Sequence, residues 1–307
     1  MLTGSPLPPG TNSVVRIEDA RRRGNRIELR SSVRVGRDIA RRGEDFRRGD
    51  PIAGRGTRLR PWHLAALVAN EIPRVPVRRR HRVALVRTGA EVVRRGRSLR
   101  RGEVRDTTGP LLRAALEELG VVVIDVGPEP DDERTIRRSV ARVLEDADVV
   151  VTIGGSSVGR RDLVRRAVEG LPHSRVLARR LRLRPGGSTG VAVVGRRPVF
   201  LLSGPPVAAY AGFLAVVEPF LARSGGFPAE SKPVVLARLG RAVPHVAHSH
   251  ELLRVRLTRG RAGMTATPLE RGGAARLSSL TGADGLAVLE QGHGDYRRGD
   301  AVRVLPL

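Results

Sequence analysis

The chain has 307 residues with 40% apolar and 3% aromatic side chains, and its 56 Lys and Arg against 31 Asp and Glu give a net charge of +25. This length and apolar content suit two or three modest domains and exclude a wholly disordered chain. The absence of cysteine excludes disulfides, thiolate metal sites and cysteine nucleophiles. Since no signal peptide and no apolar stretch of membrane-spanning length can be recognised, we expect a cytoplasmic protein without a membrane partner.

The positive charge comes almost entirely from arginine, because Lys232 is the only lysine in the chain. Much of this charge can be a solvated arginine surface, but it also permits an anionic partner. A nucleic acid is disfavoured because stacking aromatics are scarce and no nucleic-acid-binding motif is present. A small polyanion is equally compatible with the charge, and composition alone does not decide between these interpretations.

The first of three regions, residues 1–78, is rich in Gly, Pro and Arg. Short apolar runs predict strands at 13–17 and 26–29, and turn-forming Gly, Pro and Asn separate them. One amphipathic helix is predicted from Pro61 to Asn70, with Pro61 in its first turn. We therefore expect a small, β-rich N-terminal segment.

The second region, residues 79–226, alternates short apolar runs with helical periodicity. Continuous apolar strands separated by helices are typical of a parallel sheet that helices cover on both faces. A last helix is expected from about Pro206 to Leu221. The region therefore predicts an α/β domain. Its predicted strands cover residues 83–86, 121–126, 148–153 and 199–202.

In the third region, residues 232–307, strands return between Gly-rich turns. The pattern predicts a small all-β module. Its predicted strands cover residues 251–258, 264–268, 285–290 and 301–304.

A glycine- and serine-rich loop at residues 154–159 follows the third predicted strand of the α/β domain, and Asp162 comes three residues later. Ligands of parallel sheets bind beyond the carboxyl ends of the strands, where glycine lets the backbone approach an anion. The loop therefore predicts a phosphate site. A plain strand-to-helix turn with Asp162 as the helix cap explains the same residues equally well.

Two acidic segments follow the first and second predicted strands of this domain. Thr88–Glu91 would place Glu91 at the same edge of the sheet as the glycine loop, and Asp131 lies in the segment 130–133. These carboxylates indicate a magnesium site, since hard cations take carboxylate oxygens together with substrate phosphates. The alternatives are a solvated surface turn at Glu91 and a helix N-terminus, which favours acidic side chains, at 130–133.

Basic side chains cluster in residues 180–187, where alternation would put Arg180, Arg182 and Arg184 on one face of a strand. Three guanidinium groups on one face suit an anionic ligand, although a solvated edge strand explains them too. A further strand–turn–helix motif occupies residues 201–207.

Four of these motifs follow strands that should be parallel, so we expect them to converge on one edge of the sheet. Carboxylates, glycine loops and arginines together indicate a magnesium-bound phosphate ligand rather than an acyl-transfer triad. His245, His248 and His250 lie in the β module. Their spacing could bind a metal, but we favour a loop or an edge strand there.

The order and spacing of six motifs in the second region resemble the molybdopterin-binding domain shared by MoeA, gephyrin and the MoaB/Mog proteins. Segments on both sides narrow this resemblance to the MoeA and gephyrin E-domain family, because they are similar to MoeA sequences. The six motifs are Thr88–Glu91, Asp106–Thr108, Asp131–Asp132, residues 154–159 with Asp162, Arg184–Gly186 and Ser203–Val207. The flanking segments are residues 3–8, 42–45, 278–280, 283–286 and 299–300.

The resemblance implies a fold of three parts. A three-layer, MoaB/Mog-like parallel-sheet domain would occupy residues 79–226. It would be flanked by an N-terminal, β-rich partial domain at 1–78 and a small C-terminal β-barrel-like domain at 232–307. The first residues of the family pattern have no counterpart, so we expect either a shortened N-terminal domain or a misassigned start.

The resemblance also implies an activity, because MoeA-type proteins insert molybdate into adenylylated molybdopterin with magnesium and release AMP. It implies catalytic roles for Asp45, Glu91, Asp131 and Asp162, of which the last three would hold magnesium. A homodimer and contacts with other cofactor-biosynthesis proteins or molybdoenzymes are the implied partners. The implied substrate-binding residues are Thr3, Thr88, Gly154, Gly155, Ser156, Ser157, Gly159, Arg180, Arg184, Gly186, Ser203 and Gly204.

Three motifs depart from the family pattern. The family's Thr-Gly-Asp-Glu has Ala90 in third place, its Pro-Gly-Lys-Pro is Pro185–Ser188, and its Pro-Gly-Asn-Pro is Ser203–Pro206. The lost Asp, Lys and Asn motivate a second hypothesis, a non-catalytic molybdopterin-binding homologue or carrier. A molybdopterin adenylyltransferase is disfavoured by the flanking segments, and a basic nucleic-acid-binding protein ranks last.

Overall fold

The computed structural model describes residues 2–94, 96, 98–155, 162–225, 233–261, 263–269 and 273–307. The chain divides into two compact units, residues 1–73 and 74–307. A division of the second unit between 226 and 232 therefore stays a prediction.

In the first unit, a 3₁₀ turn (Ile17–Asp19) precedes strands β1 (Ala20–Arg23) and β2 (Arg26–Leu29), which pair antiparallel, and a helix α1 (Pro61–Ala69) follows. The predicted strand at 26–29 and the predicted helix are confirmed. The predicted strand at 13–17 is wrong. Val14 donates one backbone hydrogen bond to the carbonyl oxygen of Arg37, at 3.0 Å, and joins no strand ladder.

The second unit holds most of the regular structure. Its helices are α2 (Thr108–Glu118), α3 (Glu133–Asp146), α4 (Leu163–Glu169), α5 (Pro206–Gly212), α6 (Glu218–Ser224) and α7 (Ser278–Thr281). Its strands are β3 (Arg82–Thr88), β4 (Val92–Val93), β5 (Val104–Arg105), β6 (Val122–Glu129), β7 (Val149–Ile153), β8 (Ser174–Ala178), β9 (Leu183–Arg184), β10 (Gly190–Val194), β11 (Arg197–Leu202), β12 (Val235–Leu239), β13 (His250–Gly260), β14 (Gly263–Pro268), β15 (Gly285–Leu289) and β16 (Ala301–Pro306).

The central sheet has six strands in the order β6-β3-β7-β11-β10-β8. The four predicted strands correspond to β3, β6, β7 and β11, and they are parallel, as expected. Strands β8 and β10 were not predicted, and they extend the sheet by antiparallel pairing. The mixed α/β class is therefore confirmed, with an antiparallel extension on one side of the parallel core.

Strand β3 is buried on both faces, which makes the domain three-layered. Its side chains alternate between the two faces of the sheet. Val83 and Leu85 pack with α2 and with the helix that begins at Pro206, whereas Ala84 and Val86 pack with α3 and α4. Burial of these aliphatic side chains on both faces stabilises the sheet.

Helices α5 and α6 join through a π-helical segment, Phe213–Val217, into one helix from Pro206 to Ser224. By length and apolar content alone this helix could cross a membrane, although no apolar stretch of that length was recognised in the sequence. One such helix is weak evidence, because buried core helices pass the same test. Phe213, Val217 and Leu221 pack against the central sheet, as in a core helix.

The last strands form a small closed barrel. They follow the order β14-β12-β16-β15-β13, and β13 pairs back with β14 to close the ring. The four predicted strands of this region are confirmed, and β12 was not predicted. Strand β9 adds to the edge of β13, so a segment between β8 and β10 reaches the barrel.

Helix α3 begins at a charged cap that makes a pH-dependent contribution to stability. Hydrogen bonds from the hydroxyl and the N–H of Thr135, each 2.8 Å long, lower the pKa of Asp132. A carboxylate with a lowered folded-state pKa stabilises the fold above its unfolded pKa of about 3.9, and this stabilisation is lost as pH falls through the folded pKa.

We therefore expect wild type to melt at a higher temperature than Asp132→Asn at neutral pH, with the difference shrinking only below about pH 4. Asparagine keeps the capping oxygen and removes the charge. Thermal unfolding of both proteins between neutral and acidic pH measures this difference. A difference independent of pH would contradict a charge-based contribution.

Candidate functional site

The turns that follow the parallel strands meet at one edge of the central sheet. The hydroxyl of Thr88, at the end of β3, donates to the carbonyl oxygen of Ile153 at the end of β7, at 3.2 Å. The N–H of Gly154 donates to the carbonyl oxygen of Leu202 at the end of β11, also at 3.2 Å. The expected convergence of these strand ends is confirmed.

Gly154 and Gly155 allow a close approach of backbones at this edge. Both have positive φ angles, +86° and +60°. A Cβ on Gly154 would lie 2.7 Å from the carbonyl oxygen of Thr88, and a Cβ on Gly155 would lie 2.4 Å from Cγ2 of Val164. Any side chain there would separate β3, β7 and α4. Ser156, Ser157 and Gly159, which were predicted to bind substrate, lie outside the described residues.

The acidic turns after β3 and β6 are in contact. The N–H of Gly89 donates to the carbonyl oxygen of Glu129 at 3.2 Å, and the N–H of Ala90 donates to Oδ2 of Asp131 at 3.2 Å. The carboxylate of Glu91 folds back over its own turn, with both oxygens 3.3 Å from where a Cβ on Gly89 would be. Glu91 and Asp131 are both exposed. Two predicted carboxylates therefore reach the same exposed turn.

The other acidic residues of the segment 130–133 have structural partners. Asp132 caps α3, as described above. Glu133 pairs with Arg137 at 2.5 Å and with Arg166 at 2.6 Å. The helix-terminus interpretation therefore holds for Asp132 and Glu133, and Asp131 is the member of this segment that contacts the turn after β3.

Asp162 is the cap of helix α4 and is held by an arginine. Its carboxylate accepts the N–H of Arg165 at 3.4 Å and pairs with the Arg165 guanidinium at 2.7 Å. Arg165 also pairs with Glu169 at 3.0 Å. The hydrogen bond to Asp162 raises the pKa of Arg165 above its ordinary value, with a smaller contribution from Glu169. The capping interpretation of Asp162 is confirmed, and its role as a metal ligand stays a prediction.

Residues 180–188, here called the arginine loop, form much less strand than predicted. Only Leu183–Arg184 is a strand, so Arg180, Arg182 and Arg184 do not share one face of a longer strand. The chain turns at 185–188, which ends β9. Arg180 and Arg184 are both exposed, as side chains that bind an anion from solvent must be.

The turn after β11 begins at a buried serine and is fastened on two sides. Ser203 is buried, and its hydroxyl lies 2.6 Å from the hydroxyl of Ser188 in the arginine loop. The carbonyl oxygen of Gly204 accepts the hydroxyl of Thr108, at the start of α2, at 2.7 Å. The predicted binding residues Ser203 and Gly204 therefore lie at the same edge as the glycine turn, as expected from parallel strands.

Two predicted site residues, Thr3 and Asp45, lie in the first unit, where both are exposed. Asp45 borders an open depression of about 550 Å³ that Phe46 and Asn70 also line. Their roles stay predictions.

Comparison with known proteins identifies the family. Residues 1–70 match the MoeA N-terminal region (domains I and II), residues 84–223 match a probable molybdopterin binding domain, and residues 236–307 match the MoeA C-terminal region (domain IV). The chain belongs to the MoeA family. These matches follow one another in the order that the sequence predicted.

Individual relatives agree with this assignment. Molybdopterin molybdenumtransferases of Staphylococcus epidermidis and Staphylococcus aureus are each 27% identical to the chain over 309 residues, which is 99% of this chain and 73% of theirs. Two crystal structures of the molybdopterin biosynthesis MoeA protein from Pyrococcus horikoshii superpose with TM-scores of 0.77 and 0.78. Those chains are 29% and 26% identical, with 98% and 100% of this chain covered and 73% and 74% of theirs.

The meeting turns after β3, β6, β7 and β11 are called the crevice below. In this MoeA-family chain, sequence reasoning missed one buried ion-pair network beside it. Arg87, in β3, pairs with Asp106 and, at 2.7 Å, with Asp125, and it donates to the carbonyl oxygen of Gly127 at 2.9 Å. Asp106 also accepts the N–H of Gly109 at 2.8 Å, which fixes the start of α2. A charged residue inside an otherwise apolar strand was the available signal.

The histidines of the MoeA-type barrel form no metal site within the described residues. Among the described residues, no three His, Cys, Asp or Glu side chains come close enough to hold a metal ion. Glu91, Asp131 and Asp162 therefore do not form one preformed cluster either. Nδ1 of His245 lies 3.0 Å from the carbonyl oxygen of His293, and its ring contacts Tyr296 edge-on.

Proposed function

We propose that this chain is a molybdopterin molybdenumtransferase, which inserts molybdate into adenylylated molybdopterin and releases AMP. The observation that carries the proposal is the direct contact between the turns after β3, β6, β7 and β11 at one edge of the sheet. Anionic ligands of parallel α/β sheets bind at such edges. The names of the Staphylococcus relatives supply the transfer of molybdenum to molybdopterin, and the family resemblance supplies the adenylylated substrate and the release of AMP.

Different residues at this edge would bind the two anions, the adenylate phosphate and molybdate. Gly154 and Gly155 have no Cβ, so the end of β7 packs directly against Thr88 and Val164 and holds together the edge where an anion would bind. The exposed guanidinium groups of Arg180 and Arg184 would neutralise phosphate or molybdate oxygens, and each can do so through two parallel hydrogen bonds. Holding adenylate and molybdate together converts their encounter into a step within one complex, which lowers the entropic barrier.

The donors at this edge fit a magnesium ion. Magnesium is usually bound by one or two carboxylates together with substrate phosphates. Glu91 and Asp131 are two exposed carboxylates on touching turns, and Asp162 is retained in the proposed set although Arg165 holds it. When bound, magnesium would neutralise charge on the phosphate and molybdate oxygens. Glu91 and Asp131 would position it, while the arginines orient the anions.

The assay that tests this proposal supplies purified protein with adenylylated molybdopterin, molybdate and magnesium and follows AMP release and cofactor formation. Release should depend on molybdate and stop when magnesium is chelated. Tight binding of adenylylated molybdopterin without AMP release would reject the enzyme and favour the carrier hypothesis, which Gly187 and Pro205 motivate because they replace polar family residues. Adenylylation of free molybdopterin by ATP would instead identify an adenylyltransferase.

A cytoplasmic location and a homodimer, with contacts to other cofactor-biosynthesis proteins or molybdoenzymes, belong to the same proposal. They rest on the family resemblance. Light scattering of the purified chain measures the oligomeric state directly, and a monomer at every concentration tested would reject the homodimer.

A further inference from the structure

Two serines connect the arginine loop to the crevice. The hydroxyl oxygens of Ser188 and Ser203 are 2.6 Å apart, close enough for a short, well-formed hydrogen bond. Ser203 is only 5% exposed and Ser188 is half-buried, so water competes little for the bond. The hydroxyl of Ser203 is thus committed to the protein rather than open to a ligand.

The turn that contains Ser203 is fixed relative to the rest of the crevice. Its neighbour Gly204 accepts a hydrogen bond from Thr108 at 2.7 Å. A Cβ on Gly204 would lie 3.6 Å from Cα of Gly154, which shows how close the turns after β7 and β11 are. Ser188 is therefore bonded to a rigid part of the predicted anion site.

The arginine loop is also held at the barrel and at α5. Arg184 in β9 lies opposite Glu251 of β13 in a parallel backbone pairing, and the N–H of His250 donates to the carbonyl oxygen of Arg182 at 2.8 Å. Both contacts tie the loop to the barrel. Gly186, with φ +103°, brings the loop against α5, where a Cβ would lie 2.8 Å from the carbonyl oxygen of Ala208.

We propose that Ser188 and Ser203 form a positioning pair, whose hydrogen bond fixes the arginine loop against the turn after β11 and so preorganises Arg180 and Arg184 for an adenylate phosphate or molybdate. This inference rests on the function proposed above. A loop that is ordered before binding loses less conformational entropy when the anion arrives. The pair acts through the arginines and does not contact the ligand itself.

Hydrogen–deuterium exchange of the ligand-free protein tests the hold on the loop directly. Amides in 181–189 should exchange faster in Ser188→Ala and in Ser203→Ala than in wild type. Ser188→Thr keeps a hydroxyl and should restore the protection. Ser224→Ala is the matched control, because it removes a serine hydrogen bond of 3.0 Å to His81, which precedes β3 at its amino end. Unchanged exchange of 181–189 in both alanine variants would overturn the proposal.

Titration calorimetry of AMP binding in the presence of molybdate and magnesium tests whether the pair raises the affinity of the site for anions. Each alanine variant should bind about threefold to tenfold more weakly, the factor that one net hydrogen bond supports. The double variant should bind no more weakly than either single variant, because both remove the same bond. In turnover, KM for adenylylated molybdopterin should rise by a similar factor with kcat nearly unchanged.

The outcomes separate the two proposals. If the double variant loses affinity by the product of the two single-variant factors, the serines act independently, and this result would overturn the proposed pair. If wild type is active but the alanine variants match it in loop exchange and in affinity for AMP, the serine pair is rejected and the proposed function stands. If wild type neither binds AMP nor turns over, but loop exchange responds to both substitutions, the proposed function fails and the hold of the serine pair on the loop stands.

Discussion

Replacement of Glu91 with glutamine is expected to lower the rate of AMP release from adenylylated molybdopterin by about 100- to 1,000-fold, the loss that follows removal of one well-placed electrostatic group. Glu91 is exposed at the turn after β3, on the same turn whose N–H contacts Asp131. Glutamine keeps the size and one oxygen but removes the charge that would hold magnesium. The kcat and its magnesium dependence, measured in the AMP assay, check the prediction.

A matched control distinguishes the effect of losing a negative charge at the crevice from the effect of losing one elsewhere on the surface. Glu118, at the carboxyl end of α2, is also exposed. Glu118→Gln should leave kcat unchanged, and both variants should unfold at nearly the wild-type temperature, since exposed substitutions rarely affect stability much. A Glu91→Gln protein with wild-type kcat at every magnesium concentration would exclude Glu91 from the catalytic residues.

The parallel core could be predicted because its strands are nearly continuous apolar runs. Val83–Val86 is buried on both faces, as expected for a strand of a parallel sheet that helices cover on both sides. Strands β8 and β10 are only partly buried, and they join the sheet through antiparallel pairing that no local pattern of this chain announces. The strand predicted at 13–17 is wrong because a local apolar pattern does not ensure a pairing partner, and this segment pairs with no neighbouring strand.

The location of the candidate site followed from the same logic, since parallel strands bring their carboxyl ends to one edge. The hydrogen-bond and ion-pair partner of each side chain could not be predicted in the same way. Asp162 is bound to Arg165, three residues away, and a cap was foreseen there. Ser188 and Ser203 lie fifteen positions apart and meet only because the arginine loop folds against β11. Alternation predicted a strand of arginines, but the turn at Pro185 ends it after two residues.

Replacement of Arg87 with methionine is expected to reduce the free energy of unfolding by about 3–5 kcal/mol, the usual effect of breaking a buried ion pair from one side. Arg87 is 5% exposed, and the side chain of its partner Asp106 is 6% exposed. Methionine would fill much of the space but would leave the Asp106 carboxylate buried without its cation. Denaturant unfolding of wild type and variant measures the loss.

Two further variants show whether the buried charge causes that loss. Arg87→Met with Asp106→Asn should be more stable than Arg87→Met alone, because the asparagine oxygen can still accept the N–H of Gly109 while the unpaired charge is gone. Arg303→Met removes an exposed arginine, which pairs with Glu290 at 2.5 Å, and should change stability little because solvent screens such pairs. If Arg87→Met unfolds like Arg303→Met, or the double variant is no more stable than the single one, then the network does not hold β3 and α2 together. In that case the start of α2, and with it the bond from Thr108 to Gly204, would depend on the hydrogen bond from Gly109 to Asp106 and on side-chain packing.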